Sequence, residues 1–127
     1  MALASILVVD HDAVARAEMR AMLELAGYAV TEAAGGRQAL QRVAVSNPDL
    51  VVTAILMPDG DGIEFTCAMR HERPNLIVIA VSAHRFLRSL DLFELVTKLG
   101  AKAVLTQPLQ PDLLLATVSR LREVPEG

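Results

Sequence analysis

The sequence predicts an α/β fold: a five-stranded parallel sheet, doubly wound as (βα)5. Three observations lead there. Strand-like and helix-like hydrophobic periodicities alternate along the whole chain, the strand-like runs are short and continuously apolar, and Gly or Pro closes most of the helical segments. Continuous apolar runs suit strands buried on both faces, as a parallel sheet between two helical layers requires. Right-handed crossovers then distribute the helices over both faces.

Taken in order, Ile6 to Val9 is a β-branched-rich apolar run stopped by Asp10-His11-Asp12. A helical stretch follows in which Ala15, Met19, Met22, Leu23 and Ala26 share one stripe, with Gly27 as the residue just past its end. Ala29 to Ala33 forms the second strand. Arg37 to Val45 repeats apolar residues at Ala39, Leu40 and Val43 until Asn47-Pro48 halts it. Leu50 to Ile55 is apolar apart from Thr53 and gives the third strand. Ile63 to Arg73 is helical and closed by Pro74. Leu76 to Val81 is the strongest strand signal, Leu87 to Leu99 is helical up to Gly100, and Val104 to Thr106 is a last short strand. Asp112 to Glu123 is the final helix, with Pro111 near its start.

The 127 residues form one domain over 1–127, with 124–127 expected as a frayed tail. At 53% hydrophobic but 3% aromatic, the core must be aliphatic, and 21% charged residues fit an ordered globular chain. A net charge of −3 without a basic run argues against nucleic-acid binding. The lone Cys67 fits a reducing compartment, the first apolar run ends too early for a signal peptide, and no run approaches the roughly 18 residues of a membrane span. The expectation is a cytoplasmic domain with no membrane contact.

In open α/β sheets the working site lies beyond the carboxyl ends of the strands. Those ends are Asp10-His11, Ala54, Ser82 and Gln107-Pro108, and the turn MPDGDG follows the third strand directly. ILVVDHD, PDLVVTAILMPDGDGIEF, VSA and GAKAVLTQP, in that order, resemble the receiver domain of two-component response regulators over essentially the whole chain. The resemblance implies the flavodoxin-like receiver sandwich and a place in phosphorelay signal transduction. It also implies functional positions. Asp10 matches the first of the family's acidic pair and His11 the second; the phosphoacceptor aspartate falls on Ala54, the hydroxyl on Ser82, the lysine on Gln107 and the switch aromatic on Val104, while Pro108 is kept.

Aspartyl phosphorylation needs a carboxylate nucleophile, a divalent cation and a cation for the developing phosphate. Ala54 offers no nucleophile, His11 removes a hard oxygen ligand for Mg²⁺, and Gln107 brings no charge to a phosphate of about −1.5 to −2. Carboxylates in such a cluster repel by roughly 4 kcal/mol per pair at about 4 Å and an effective dielectric near 20. Ala54 and His11 remove that repulsion, so Mg²⁺ binding is expected to be lost or weak. The sequence therefore reads as a degenerate receiver, or pseudo-receiver, that is not an enzyme and acts by protein–protein interaction.

The alternative is an atypical or mutated response regulator that is still phosphorylated. Thr53 points to the opposite face of its strand, and Asp59 and Asp61 suit the turn and the start of the next helix. A more distant alternative is a small N/O metal site at Asp10, His11 and Asp12, for which imidazole suits Zn²⁺. Against it, Asp12 is placed to cap the first helix. A flavodoxin-like cofactor binder would need a glycine in the loop DHDAVARAE, which has none.

Partners are expected to be proteins of a signalling pathway, such as a histidine kinase or a regulator. Phe86, Leu90, Phe93 and their neighbours place apolar groups nearly all round the fourth helix, more than one buried stripe needs. With Val104 on the fifth strand and Leu113 on the fifth helix, they define a candidate docking or homodimer face.

Overall fold

The apolar runs pair into one all-parallel sheet of five strands in a computed structural model that describes residues 4–55, 57–58, 62–82 and 90–123, side chains 90–93 excepted. The elements are β1 (Ser5–Val9), α1 (Ala13–Leu25), β2 (Ala29–Ala33), α2 (Gly36–Ser46), β3 (Leu50–Ala54), α3 (Gly62–Glu72), β4 (Ile77–Ser82), α4 (Leu90–Lys98), β5 (Ala103–Thr106) and α5 (Pro111–Glu123). The sheet order β2-β1-β3-β4-β5 is the doubly wound order, with its switch point between β1 and β3. The start of the fourth helical segment, at 87–89, lies outside the described residues, as does the tail at 124–127.

Strand alternation sorts the core into layers. Ile6, Val8, Leu50 and Val52 pack with Met19 and Leu23 of α1 and with Leu114 and Val118 of α5. Leu7, Val9 and Val51 face the other way, toward Ala39 and Val43 of α2 and Phe65 and Met69 of α3. A smaller cluster of Ile55, Ala80, Val96 and Ala101 seats α4. Met19 and Leu23 are α1's buried residues, and at about 1.5–3 kcal/mol per fully buried side chain they are its main anchors.

The helix ends follow from local chemistry. Asp12 accepts the amides of Val14 at 2.9 Å and Ala15 at 3.4 Å, so it caps α1 as its sequence position suggests. Gly27, with φ of +96°, donates to Glu24 while Tyr28 donates to Leu23, which is the paired closure of a Schellman motif. Gly100, with φ of +120°, and Ala101 close α4 in the same way onto Thr97 and Val96.

Several apolar positions lie elsewhere than their spacing suggests. Leu40 is 39% exposed and Val45 85%, because α2 turns only Ala39, Val43 and Gly36 fully inward. In α1, Ala15 and Met22 are half-buried, and Ala26 is the exposed C-cap.

Candidate functional site

The register brings the carboxyl ends of β1, β3, β4 and β5 to one edge. Val9 pairs with Thr53, Ala54 with Val81 and Ser82 with Thr106. The residues that follow are tied across the same edge: Ile55 N–H donates to the Val81 carbonyl at 3.1 Å, and Gln107 N–H to that of Ser82 at 2.9 Å. Asp10, Ala54, Ser82 and Gln107 therefore surround the head of the sheet, where the ends of the apolar runs place them.

Asp10 leaves β1 as a buried carboxyl group. Its N–H donates to the Ala33 carbonyl at 3.1 Å, and its Oδ1 accepts the Asp12 amide at 2.9 Å. Burial raises its pKa above the ordinary carboxylate value; the Asp12 amide, His11 and Arg16 oppose that shift, and the Asp12 charge adds to it. The half-exposed His11 side chain has Nδ1 3.6 Å from Asp10 Oδ1. Asp12 turns away to cap α1, so Asp10, His11 and Asp12 do not converge on a common point. No group of three His, Cys, Asp or Glu side chains among the described residues could hold a metal ion.

At the end of β3 stands a methyl group. Ala54 is 9% exposed and belongs to an apolar cluster with Met57 and Phe65. The neighbouring Thr53 is fully buried, and its hydroxyl donates to the Ala54 carbonyl at 2.9 Å. Directly above, α3 begins in close contact. Gly62 N–H donates to the Ile55 carbonyl at 2.8 Å, and a Cβ on Gly62 would lie 1.9 Å from the Ala54 carbonyl oxygen. Position 62 must be glycine for the helix to start here. Residues 56 and 59–61 of the turn, with Asp59 and Asp61, lie outside the described residues.

Ser82 is 3% exposed at the end of β4. Gln107 is half-buried, Pro108 is exposed, and the peptide bond between them is cis. The donor set does not fit a magnesium ion, which takes near-octahedral oxygen ligands: Ala54 supplies no side-chain oxygen, His11 supplies nitrogen, and Asp10 is the carboxylate that remains at these positions.

An ionic cluster beside this edge was not evident from sequence spacing. Arg16 donates to Glu32 Oε1 at 2.9 Å and to the Asp10 carbonyl at 2.7 Å, and Arg20 reaches Glu32 Oε2 at 2.5 Å. Arg20 and Arg16 hold the Glu32 carboxyl below its ordinary range. The visible signal was two arginines one helical turn apart, but their partner on β2 is a tertiary contact.

Of the residues expected on a docking face, Val104 is half-buried and packs onto the cluster under α4, while Leu113 is 53% exposed. Of the three successive leucines in α5, Leu114 is fully buried and Leu115 partly so; Leu113 is the one that points out. On α4, Leu95 is 45% exposed and Val96 is buried. Phe86 lies outside the described residues, as do the side chains of Leu90 and Phe93. No helix among the described residues is long and apolar enough to cross a membrane.

Residues 6–119 match the response regulator receiver domain family. The chain is 32% identical over 120 residues to the sensor protein EvgS of Escherichia coli K12, covering 94% of this chain and 10% of that one. It is 35% identical over 118 residues to the response regulator MprA of Mycolicibacterium vanbaalenii, covering 91% of this chain and 49% of that one. It thus spans about half or less of the length of these two relatives. The crystal structure of a CheY-like receiver domain protein from Methanospirillum hungatei JF-1 superposes with a TM-score of 0.86 at 29% identity, covering 96% of each chain.

Proposed function

The chain belongs to the response regulator receiver domain family, and we propose that within it this domain is a pseudo-receiver, a signalling module that is not phosphorylated at the family's position. The observation that supports this reading most is the buried methyl group of Ala54 at the end of β3. A phosphoryl group transferred there would need an oxygen to attack with, and position 54 has none. Thr53 is no substitute, since its hydroxyl is buried and engaged by the Ala54 carbonyl. Gln107 offers a hydrogen bond but no charge, and Asp10, followed by His11 rather than by another carboxylate, makes a poor cation site.

A phosphate that cannot be attached has no differential affinity for two conformations, so it shifts no equilibrium. The domain's output then depends on protein binding, and the α4, β5 and α5 face carries the exposed Leu95 and Leu113 for it. Its partners are proteins of a two-component pathway, among which a kinase, a regulator or a second copy of this chain would fit.

The test is direct. The protein is incubated with a small phosphodonor and Mg²⁺ and its intact mass is read; an unchanged mass is expected. An acid-stable, base-labile phosphoryl adduct would establish the atypical regulator instead. For the binding face, Leu113→Asp should weaken self-association or partner capture while leaving the circular dichroism spectrum intact, and unaltered binding would exclude that surface.

A further inference from the structure

At the amino ends of β4 and β5, opposite the receiver pocket, a cleft runs between the last turns of α3 and α4. Four cations line it: Arg70 and Arg73 on one side, Lys98 and Lys102 on the other. The two lysines are the only ones in the chain. Half-buried Leu76 and exposed Pro74 supply an apolar wall, with Met69 and Val78 buried beneath it.

The charge here exceeds what the fold uses. Two helix C-termini point at the cleft, each equivalent to about half a negative charge, so roughly one unit offsets four. The hydrogen bonds of the two arginines go to neutral acceptors. Arg70 donates to the Lys98 carbonyl at 2.5 Å, and Arg73 to the side-chain oxygen of Asn47. Among the described residues no acidic side chain lines the cleft; Glu72 and Asp49 line the adjoining one, which shares Arg73. The salt bridges found among the described residues all lie elsewhere. A chain with net charge −3 therefore keeps a positive groove with at least two cations uncompensated.

We propose that this cleft docks an acidic peptide segment of a partner protein, its carboxylates against Lys98, Lys102 and the arginines and an apolar side chain on the Leu76 and Pro74 wall. Charge complementarity selects the acidic segment. The Leu76 and Pro74 wall selects a peptide over a bare anion, because a small inorganic ion would leave that apolar surface uncovered. The inference stands apart from the pseudo-receiver reading, since none of these residues belongs to the pocket at the other end of the strands.

The intact chain is panned against a phage library of random dodecapeptides, and the enriched sequences are synthesised and titrated by fluorescence polarisation. The expected result is enrichment of peptides with several Asp or Glu around a Leu, Met or Phe. Their affinity should fall as salt is raised through about 0.1 M. Binding should weaken about tenfold or more in the double variant Lys98→Glu/Lys102→Glu, and less in Lys98→Gln/Lys102→Gln, with the fold of each checked by circular dichroism. Enrichment without acidic character, no enrichment, or binding indifferent to charge reversal would overturn the proposal. So would displacement of the peptide by inorganic phosphate or pyrophosphate that itself binds the cleft, which would mark a small-anion site.

Discussion

Replacing Gly62 by Ala sets two effects of opposite sign against each other. In an ordinary helix the change is favourable by about 1 kcal/mol. Here the new methyl would lie 1.9 Å from the Ala54 carbonyl oxygen, 3.0 Å from its carbon and 3.1 Å from Ile55 Cα, where contacts normally begin near roughly 3.5 Å. All three atoms are backbone, so no side-chain rotation relieves the overlap, and the start of α3 must move off the end of β3. That breaks the 2.8 Å bond from Gly62 N–H to the Ile55 carbonyl, worth about 1 kcal/mol. It also displaces Phe65 and Met69 from their cluster, at about 1–3 kcal/mol for a forced core shift. Steric loss outweighs helix propensity, leaving a net destabilisation of about 1–3 kcal/mol. Urea unfolding followed by circular dichroism should show a lower midpoint at unchanged slope. A Gly62→Ala protein as stable as the parent, or more so, would refute the close approach of α3 to β3.

Three further changes probe the site's electrostatics and capping. Asp10→Asn should stabilise the protein at pH 7 by about 1 kcal/mol, because burial disfavours the charged carboxylate. Since burial raises the folded-state pKa, protonated Asp10 favours the native state at low pH, and that contribution is lost as pH rises through the folded pKa; the gap between variant and parent should open over this acidic window and stay constant above it. Glu32→Gln should cost about 1 kcal/mol at pH 7, a value discounted for the partial exposure of Glu32 and Arg20. The depressed pKa of Glu32 makes its contribution present above the unfolded value and lost as pH falls through the folded one, so thermal melts of parent and variant should converge on acidification. Asp12→Ala should lower stability by about 0.5–2 kcal/mol through loss of the α1 cap, with faster amide exchange at Val14 and Ala15 as its local signature.

Most of the fold was legible because it rests on local signals. Strands buried on both faces leave continuous apolar runs, and their ends fix which residues crown the sheet, so Asp10, Ala54, Ser82 and Gln107 could be placed before any contact was known. Gly27, Gly100 and Asp12 were legible as helix ends because a left-handed φ or an amide-accepting carboxylate is a property of the residue itself. Legibility failed where rotation about a helix decides the outcome. With α2 anchored by Ala39 and Val43, Leu40 sits about 100° round from Ala39 and reaches the surface. It failed again where residues distant in sequence meet: the clasp of Arg16 and Arg20 on Glu32, the cation-lined cleft between residues 70–73 and 98–102, and the contact of Gly62 with Ala54.

That last contact bears on how a pattern such as MPDGDG is weighed. Gly62 is required by a carbonyl oxygen, and every amino acid at position 54 would present the same carbonyl. The constraint is blind to the side chain that does the chemistry, so losing that side chain leaves the glycine as necessary as before. A match to the turn therefore reports how a strand hands over to a helix, and carries no information about the side chain at position 54.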